Sequence, residues 1–331
     1  MTALNTISLP DFVKLANVKF QKALSDFPEV MRKSGLFVEV PMENNTGNTR
    51  EFSEIDLEEY ASNKDEGDQA ETARIQQGYT NTLTLSRRGD NIDITVEMRT
   101  QNKYPTVVKK LTSLGSMVSK RLDLDLAHRL GFGTATSYVD QDGITINIDI
   151  GDDLALYSTV HKVKGSATTY RNRLANNPQL SKGALEGLEK LIVEQTFNQF
   201  AEKISVPFDI LWTTDDPNTC NTARELLQSS AEVSAPNAGV INVYKAKYQH
   251  IKSARIATDA NGSPDSDKAK YFGIASSADS SAYLGIHEEA HMVAPESDIK
   301  SDDWTFGARG NNGNTIVGGR WIKFSSGDGT A

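Results

Sequence analysis

One long helical pattern in the middle of the chain constrains the fold more than any other feature. From Pro105 onward the apolar side chains recur at the spacing of one helix face, and Gly131 closes the pattern; the stripe consists of Val107, Leu111, Leu114, Val118, Leu122 and Leu130. This spacing predicts a helix from Pro105 to about Leu130, closed by Gly131, and at about 1.5 Å per residue it is roughly 39 Å long. Such a helix exceeds the globular average, so we expect it to act as a strut around which the remaining segments are built.

The opposite face of this helix is basic. It carries Lys109, Lys110, Lys120, Arg121 and Arg129. A row of charges along a helix is most simply a solvated face. A binding surface for an acidic segment is the alternative interpretation.

The segments before the helix predict an arm and an extended hairpin. Residues 8–34 have helical spacing, with Pro10 in the first turn and Gly35 as the stop, and residues 36–41 read as a strand. The polar, turn-rich stretch at 42–78 includes residues 49–57, which alternate only imperfectly, whereas residues 80–98 alternate better and predict a further strand. Because two strands flank this stretch, they form a long hairpin.

The hairpin is strongly acidic. Between Glu51 and Glu71 there are nine acidic residues and one basic residue, Lys64. Ordering a polar segment costs about 1–2 kcal/mol per residue with little apolar burial in return, so the segment is better explained by contact with a neighbour. Its charge favours a basic partner surface, for which the basic helix face or Arg87 and Arg88 are candidates. A disordered acidic insertion is the alternative.

The second half of the chain predicts a compact unit of helix, strand and helix. Ser181 is a plausible cap for one helix, residues 206–213 read as a buried strand, and Asp216 with Pro217 starts the next helix. Residues 240–251 predict another strand, and short strands follow toward the C-terminus. The order of these elements is that of an α+β protein.

The length, charge and cysteine content exclude several classes of function. A chain of 331 residues allows one large or two ordinary domains. A net charge of -9 argues against a nucleic-acid-binding surface that neutralises phosphates. The single cysteine, Cys220, excludes an intrachain disulfide, and no apolar run of signal or membrane-spanning length is present. We therefore expect a protein made in the cytosol, with no membrane partner.

A zinc-peptidase signature, His287-Glu288-x-x-His291, stands apart from these patterns. The chemistry requires both histidines on one face of a helix, a Glu as general base and a third ligand elsewhere. Gly285 and Pro295 leave little room for that helix, and the chain has no Glu beyond Glu296 to serve as the third ligand. We therefore expect a surface strand or loop here, and a metallopeptidase remains only a distant alternative.

No other catalytic or cofactor signature is present. The sequence contains no phosphate-binding loop, nucleophile elbow or Cys-x-x-Cys motif. The sequence therefore predicts no catalytic residue, no cofactor and no metal site.

Four segments, in order, resemble the major capsid proteins of tailed bacteriophages, and the resemblance covers nearly the whole chain. They are KYPTVVKKLTSLGSMVSKRLDLDLAHRLGFGTATSY, GDDLALYSTVHKVKGSATTYRNRLANNP, PFDILWTTDDPNTCNTARELLQS and GGRWIKFSSGDG. The family fold is named for phage Hong Kong 97. The resemblance implies an N-arm with the first strand at 1–41, an extended E-loop at 42–80, a peripheral domain at 81–179 that includes the spine helix 104–131, an axial domain at 180–270, and C-terminal strands at 271–331 that return to the peripheral domain.

The resemblance also implies a mechanical function and a set of partners. Copies of the chain would form pentamers and hexamers of an icosahedral shell around phage DNA, without sequence-specific DNA contact, in the virion after assembly in the host cytoplasm. A separate scaffolding protein, a portal and a decoration protein are the other expected partners. A nanocompartment shell of the encapsulin kind is the alternative. The candidate subunit-contact residues are Glu51, Glu54, Asp56, Glu58, Glu59, Arg87, Arg88, Lys109, Lys110, Lys120 and Arg121.

Overall fold

The structure is a computed structural model that describes residues 9–43, 47–100, 104–231, 241–297 and 303–329. Its helices are α1 (Leu9–Asp26), α2 (Val96–Thr100), α3 (Tyr104–Gly131), α4 (Lys182–Glu194) and α5 (Pro217–Gln228). Its strands are β1 (Val38–Pro41), β2 (Thr49–Leu57), β3 (Ile75–Thr84), β4 (Ser86–Ile94), β5 (Ser137–Val139), β6 (Thr145–Asn147), β7 (His161–Lys162), β8 (Thr169–Tyr170), β9 (Ile210–Thr213), β10 (Gln249–Lys252), β11 (Phe272–Ala275), β12 (Ala282–Ser297), β13 (Trp304–Ile316) and β14 (Ile322–Ser325). This mixture of helices and strands confirms the α+β class. None of the described helices has the length and apolar character needed to cross a membrane.

The first sheet has the strand order β1-β12-β13-β4. β1 runs parallel to β12, whereas β13 is antiparallel to both of its neighbours. The strand predicted over 80–98 is divided between two elements, because β3 ends at Thr84 and the chain then enters β4 and the short helix α2. The sheet is therefore assembled from segments at both ends of the sequence.

Helix α3 has the predicted bounds, and its apolar stripe is buried. Its first half packs with α1 against the first sheet, in a cluster of Ala16, Phe20, Ile94, Val107, Leu111, Leu114, Val118, Trp304, Phe306 and Ala308. Gly115 lies at the contact between the two helices. A Cβ at this position would lie 2.9 Å from the carbonyl oxygen of Phe20 and 3.1 Å from Cβ of Ala23. The missing side chain therefore allows the close approach of α1 and α3.

The second sheet has the order β10-β9-β11-β14, with β9 and β10 parallel. Helices α4 and α5 pack on it through a cluster that includes Leu185, Leu188, Leu211 and Leu226. Both helices begin with the predicted caps. The Ser181 hydroxyl accepts a hydrogen bond from the backbone N–H of Ala184 at 3.2 Å, and Asp216 accepts one from Thr219 at 2.9 Å.

A shared core joins the two sheets. The second half of α3 contributes Leu122, Leu126 and Leu130 to it, and the second sheet contributes Trp212 and Phe324. Because β11 and β14 pair with the sheet of β9, that sheet extends beyond residue 270, whereas β12 and β13 belong to the first sheet. Strand pairing is a long-range contact, so segments far apart in the sequence lie in the same sheet.

The arm helix is shorter than predicted. The prediction ran over residues 8–34, but α1 ends at Asp26. Pro28 cannot continue the helix and disfavours helical backbone at the residue before it. A short 3₁₀ turn over Arg32–Ser34 follows, and Gly35 then takes a left-handed φ of 78°. Residues 1–8 of the predicted arm lie outside the described residues.

The strand predicted over residues 240–251 is wrong for most of its described length. Only its end belongs to a strand, β10, which begins at Gln249. Before it, Nδ2 of Asn242 donates to the carbonyl oxygens of Leu226 at 2.6 Å and Ser229 at 3.0 Å, at the end of α5. Ala246 has a φ of 55°. These contacts turn the chain back toward α5, which an alternating strand cannot do.

Arg129 does not belong to a solvated helix face. It is 7% exposed, and its guanidinium donates to the carbonyl oxygen of Asn314 at 2.6 Å and to that of Asn147 at 2.9 Å. Burial lowers the pKa of Arg129 to about 10. Its role in the described structure is to join α3 to β13 and to the end of β6.

Candidate assembly surfaces

The predicted hairpin is formed by β2 and β3. The two strands pair antiparallel from Thr49 opposite Thr84 to Leu57 opposite Ile75, and residues 58–74 form the outer segment. The hairpin exposes four large apolar side chains: Ile55 at 65%, Leu57 at 57%, Tyr60 at 65% and Ile75 at 71%. Exposed apolar side chains grouped on one element are typical of a surface that another molecule covers.

Two of the predicted acidic contact residues are held within their own subunit at the root of the hairpin. Glu54 is 7% exposed and accepts a hydrogen bond of 2.7 Å from Nε2 of Gln199. Asp56 forms a two-point ion pair with Arg320, at 2.5 and 2.8 Å, and accepts a backbone hydrogen bond from Gln199 at 2.9 Å. Burial raises the pKa of Glu54. The root is therefore fastened to the loop after α4 and to the turn before β14.

The other predicted acids lie further out or face solvent. Glu58 pairs with Arg74 across the hairpin, and this hydrogen bond lowers the pKa of Glu58. Glu51 and Glu59 are exposed, and the backbone N–H of Glu59 donates to a carboxylate oxygen of Glu202 at 3.0 Å. Glu51 and Glu59 therefore keep carboxylates that are accessible to another molecule.

Three of the predicted basic residues are also engaged within the subunit. Arg88 lies 3.1 Å from Asp125, and Arg121 contacts Asp125 and Asp140, each at 2.9 Å. Lys110 donates to the backbone carbonyl of Asp93 at 3.4 Å. These pairs fix β4 and the hairpin of β5 and β6 against α3.

The remaining three, Arg87, Lys109 and Lys120, are exposed. Within the described part of the chain their side chains form no ion pair or hydrogen bond. Arg87 and Lys120 line one groove of about 510 Å³, between α3, β4, the β5–β6 hairpin and the loop at 255–262. Five basic and two acidic side chains line this groove, together with the apolar Met117, Val118 and Leu124. We call it the basic groove.

The basic groove continues past Arg87 and Arg88 into a second cavity of about 250 Å³. That cavity is also lined by Glu288, His291 and Arg309. Part of the zinc-peptidase signature therefore borders the basic groove.

The signature itself lies on strand β12. Its pairing with β13 is irregular, with shifts between Ile286 and Glu288 and again between Glu288 and His291. A strand does not place residues four apart on the face of a helix, as the peptidase geometry requires. Among the described residues there is no group of three or more His, Cys, Asp or Glu side chains that could hold a metal ion.

The middle acid of the signature has a structural contact instead. Glu289 lies 2.7 Å from the guanidinium of Arg32, which also contacts Glu39 at 2.6 Å. The segment before β1 is thereby joined to β1 and β12. The expectation of a surface strand is confirmed, and the metallopeptidase alternative loses the helix on which it depends.

Sequence reasoning missed the residues that fasten the hairpin. Gln199 and Arg320 lie 143 and 264 residues beyond their partner Asp56. No periodicity or motif marks either position. The exposed apolar residues were in principle visible, because Ile55 and Leu57 are two apart and so share one face of a strand.

Comparison with solved structures reveals the same fold in phage capsids. A structure from Mycobacterium phage Patience gives a TM-score of 0.53 at 10% identity, covering 95% of this chain and 87% of that chain. The mature capsid of bacteriophage PhiM1 gives 0.52 at 9% identity, covering 90% and 86%. The capsid of Myoviridae phage XM1 gives 0.51 at 11% identity, covering 91% and 92%.

No protein-family model and no curated protein gives a match. At this level of identity the likeness to the three phage structures concerns the fold alone. The chain has the Hong Kong 97-type capsid fold.

Proposed function

We propose that this chain is the major capsid protein of a tailed bacteriophage. Its copies assemble through pentamers and hexamers into the icosahedral head shell around double-stranded DNA. The observation that carries the proposal is the shared fold, which extends over 90–95% of this chain and 86–92% of the phage capsid chains. The function is mechanical, and the protein acts in the virion after assembly in the host cytoplasm.

The hairpin supports assembly as the function. It carries exposed apolar residues and acidic residues, and its outer segment, residues 58–74, contributes no residue to a hydrophobic core. Ordering such a segment is favourable only when another surface covers it. A neighbouring copy supplies that surface repeatedly, because identical head-to-tail contacts close into rings.

The basic groove is the surface that the hairpin fits by charge. Between Glu58 and Glu71 the outer segment has six acidic residues and one lysine, Lys64, whereas the groove exposes Arg87 and Lys120. The apolar lining of the groove matches the exposed apolar residues of the hairpin. The contact therefore combines charge complementarity, which sets orientation, with apolar burial. Lys109 lies on the same helix and extends the basic surface.

Other partners follow from the function. A separate scaffolding protein directs assembly, a portal occupies one vertex, and a decoration protein binds the outer surface. The net charge of -9 suits a container whose wall must not bind the packaged DNA. Expression of the chain alone tests the scaffold: efficient formation of closed shells without a second protein would contradict it.

Electron microscopy of the purified protein tests the function. Five- and six-membered rings or closed shells are the expected result, with DNA inside particles isolated from infected cells. A stable monomer that forms no rings at any concentration would refute the proposal. Particles that enclose a protein cargo would instead favour the nanocompartment alternative.

A charge exchange tests the proposed contact. Arg87→Glu together with Lys120→Glu should abolish ring formation while the subunit remains folded, because both changes face the acidic segment. Asp65→Lys, Glu66→Lys and Asp68→Lys in the same chain should restore rings. Lys252→Glu, an exposed lysine that does not line the groove, is the matched control. Normal assembly of the double variant would exclude the groove as the docking surface.

A further inference from the structure

The buried contact between Glu54 and Gln199 has an unusual composition. Glu54 lies on β2, and Gln199 lies in the loop after α4, so the contact joins the hairpin to the rest of the subunit. Nε2 of Gln199 donates to Glu54 at 2.7 Å. The other amide atom of Gln199, Oε1, is buried and has no hydrogen-bond donor within the described residues. An acceptor buried without a donor is costly.

A protonated Glu54 supplies the missing donor. A carboxylic acid and a carboxamide facing each other can form two hydrogen bonds, N–H to carbonyl and O–H to carbonyl, whereas an ionised carboxylate can only accept. The amide of Gln199 is already aligned for the first of these bonds. One proton would therefore satisfy the buried oxygen of Gln199 and neutralise a buried carboxylate at the same time.

The backbone around the pair is shaped to receive it. A Cβ at Gly78 on β3 would collide with the amide of Gln199, and a Cβ at Gly318 would collide with the carboxyl of Glu54. Two strands and a turn therefore close directly around these two side chains. The site admits the pair in contact and little else.

We propose that Glu54 and Gln199 form a proton-operated latch that fastens the root of the hairpin to its own subunit. In the protonated state the carboxylic acid and the amide are fully hydrogen-bonded and the hairpin is held. Loss of the proton leaves an anion and an unsatisfied oxygen in a closed site, which favours release of the root. The effect on shell assembly rests on the proposed function, but the latch itself is a property of the single subunit.

The neighbouring groups act on Glu54 in opposite directions. Burial raises its pKa from the ordinary value of 4.5, the nearby Arg320 and the hydrogen bond from Gln199 lower it, and the carboxylates of Asp56 and Asp152 raise it. The titratable and charged groups that face Glu54 from the elements around it are Asp56 on β2, Tyr79 on β3, Asp152 before β7, Tyr170 on β8, Tyr283 on β12 and Arg320 before β14. Asp152 is in turn 2.7 Å from Nδ1 of His161.

The sign of the pH dependence follows from the raised pKa. Below 4.5, Glu54 is protonated in both the held and the released hairpin, so the stabilisation of the held state is fully present. As the pH rises from 4.5 to the raised pKa of the held state, release of the hairpin root is accompanied by loss of the proton from Glu54. The equilibrium constant for release then increases up to about tenfold per pH unit. Above the raised pKa it becomes constant again.

Hydrogen exchange of the unassembled subunit tests the latch. Exchange of peptides covering β2 and β3 is measured from mild acid to neutral pH and corrected for the intrinsic pH dependence. The wild type should lose protection at the root as the pH rises, by up to tenfold per unit. Glu54→Gln cannot ionise and keeps both hydrogen bonds to Gln199, so its protection should be independent of pH. Glu51→Gln, an exposed acid on the same strand, should behave as the wild type.

Two results would overturn the latch. One is wild-type protection that does not change with pH. The other is a Glu54→Gln variant that keeps the wild-type pH dependence, which would assign the effect to a group other than Glu54. If Glu54→Gln does not fold, Gln199→Met provides an independent test. It removes both hydrogen bonds, so the greater protection of β2 and β3 against hydrogen exchange at acidic pH should disappear. Ring formation is scored separately, so loss of the latch and failure of the shell proposal are distinguishable.

Discussion

The contact between α1 and α3 allows a test in which one substitution has opposite effects at two positions. Gly115 and Gly183 both lie within helices, α3 and α4. Replacing glycine by alanine inside a helix stabilises it by up to about 1 kcal/mol. At Gly183 nothing lies within 4 Å of the new Cβ, so no steric cost opposes the gain, which is smaller than in a helix interior because Gly183 is the second residue of α4. Gly183→Ala should therefore raise the free energy of unfolding.

At Gly115 the same Cβ meets the backbone of α1. It would lie 2.9 Å from the carbonyl oxygen of Phe20 and 3.2 Å from its Cα, and these are backbone atoms that cannot rotate away. Forcing extra volume into a packed contact costs about 1–3 kcal/mol. The steric cost exceeds the helix gain over most of that range, so Gly115→Ala should lower the free energy of unfolding by up to about 2 kcal/mol.

Urea unfolding of dilute, unassembled subunits measures both changes, because assembly would otherwise add its own stabilisation. The midpoints should move in opposite directions, with unchanged slopes. Gly115→Val should cost more than Gly115→Ala, since it adds two further carbons at the same contact. If both alanine variants shift the midpoint in the same direction, the inference that Gly115 sets the approach of α1 to α3 is refuted.

Two further predictions concern single sites. His287→Ala combined with His291→Ala should change the free energy of unfolding by no more than about 1 kcal/mol and leave ring formation intact; collapse of particle formation, or bound zinc lost in the variant, would contradict this. Burial lowers the pKa of Lys323 from 10.5 to about 7. Between those pH values the unfolded chain binds a proton that the folded chain does not, so the free energy of unfolding of the wild type increases as the pH rises through that window. The difference in unfolding free energy between the wild type and Lys323→Met should therefore change across this window, and a constant difference would show that Lys323 does not titrate there.

Elements with a strong period were predictable from the sequence. The bounds of α3 follow from its stripe and from Gly131, and the caps at Ser181 and Asp216 follow from local hydrogen-bonding chemistry. Both signals depend only on residues that are close in the sequence, so contacts with distant segments do not alter them. The strand prediction for the segment before β10 failed because the hydrogen bonds of Asn242 to the end of α5 override the apolar alternation there.

For the candidate contact residues, the sequence predicted only which segments are acidic and which are basic. The acidic hairpin and the basic helix face were both visible as charge patterns. The sequence could not tell which charges are used inside the subunit, because Arg121 has Asp140 as a partner and Asp56 has Arg320 only in three dimensions. The zinc-peptidase signature at His287 could not be judged from its letters either, because a motif of five residues does not specify whether its backbone is a helix or a strand.

The separation between Asp56 and its partner Arg320 also has a consequence during translation. The two residues are 264 positions apart. At about 5–20 residues per second, Asp56 is synthesised roughly 13–53 s before Arg320. Throughout that interval the root lacks its ion pair, and a nascent chain cannot hold the hairpin in its final position. Synthesis of Arg320 is therefore required before the hairpin can be fixed, and under the proposed function a chain that lacks Arg320 would compete poorly for a place in a growing shell.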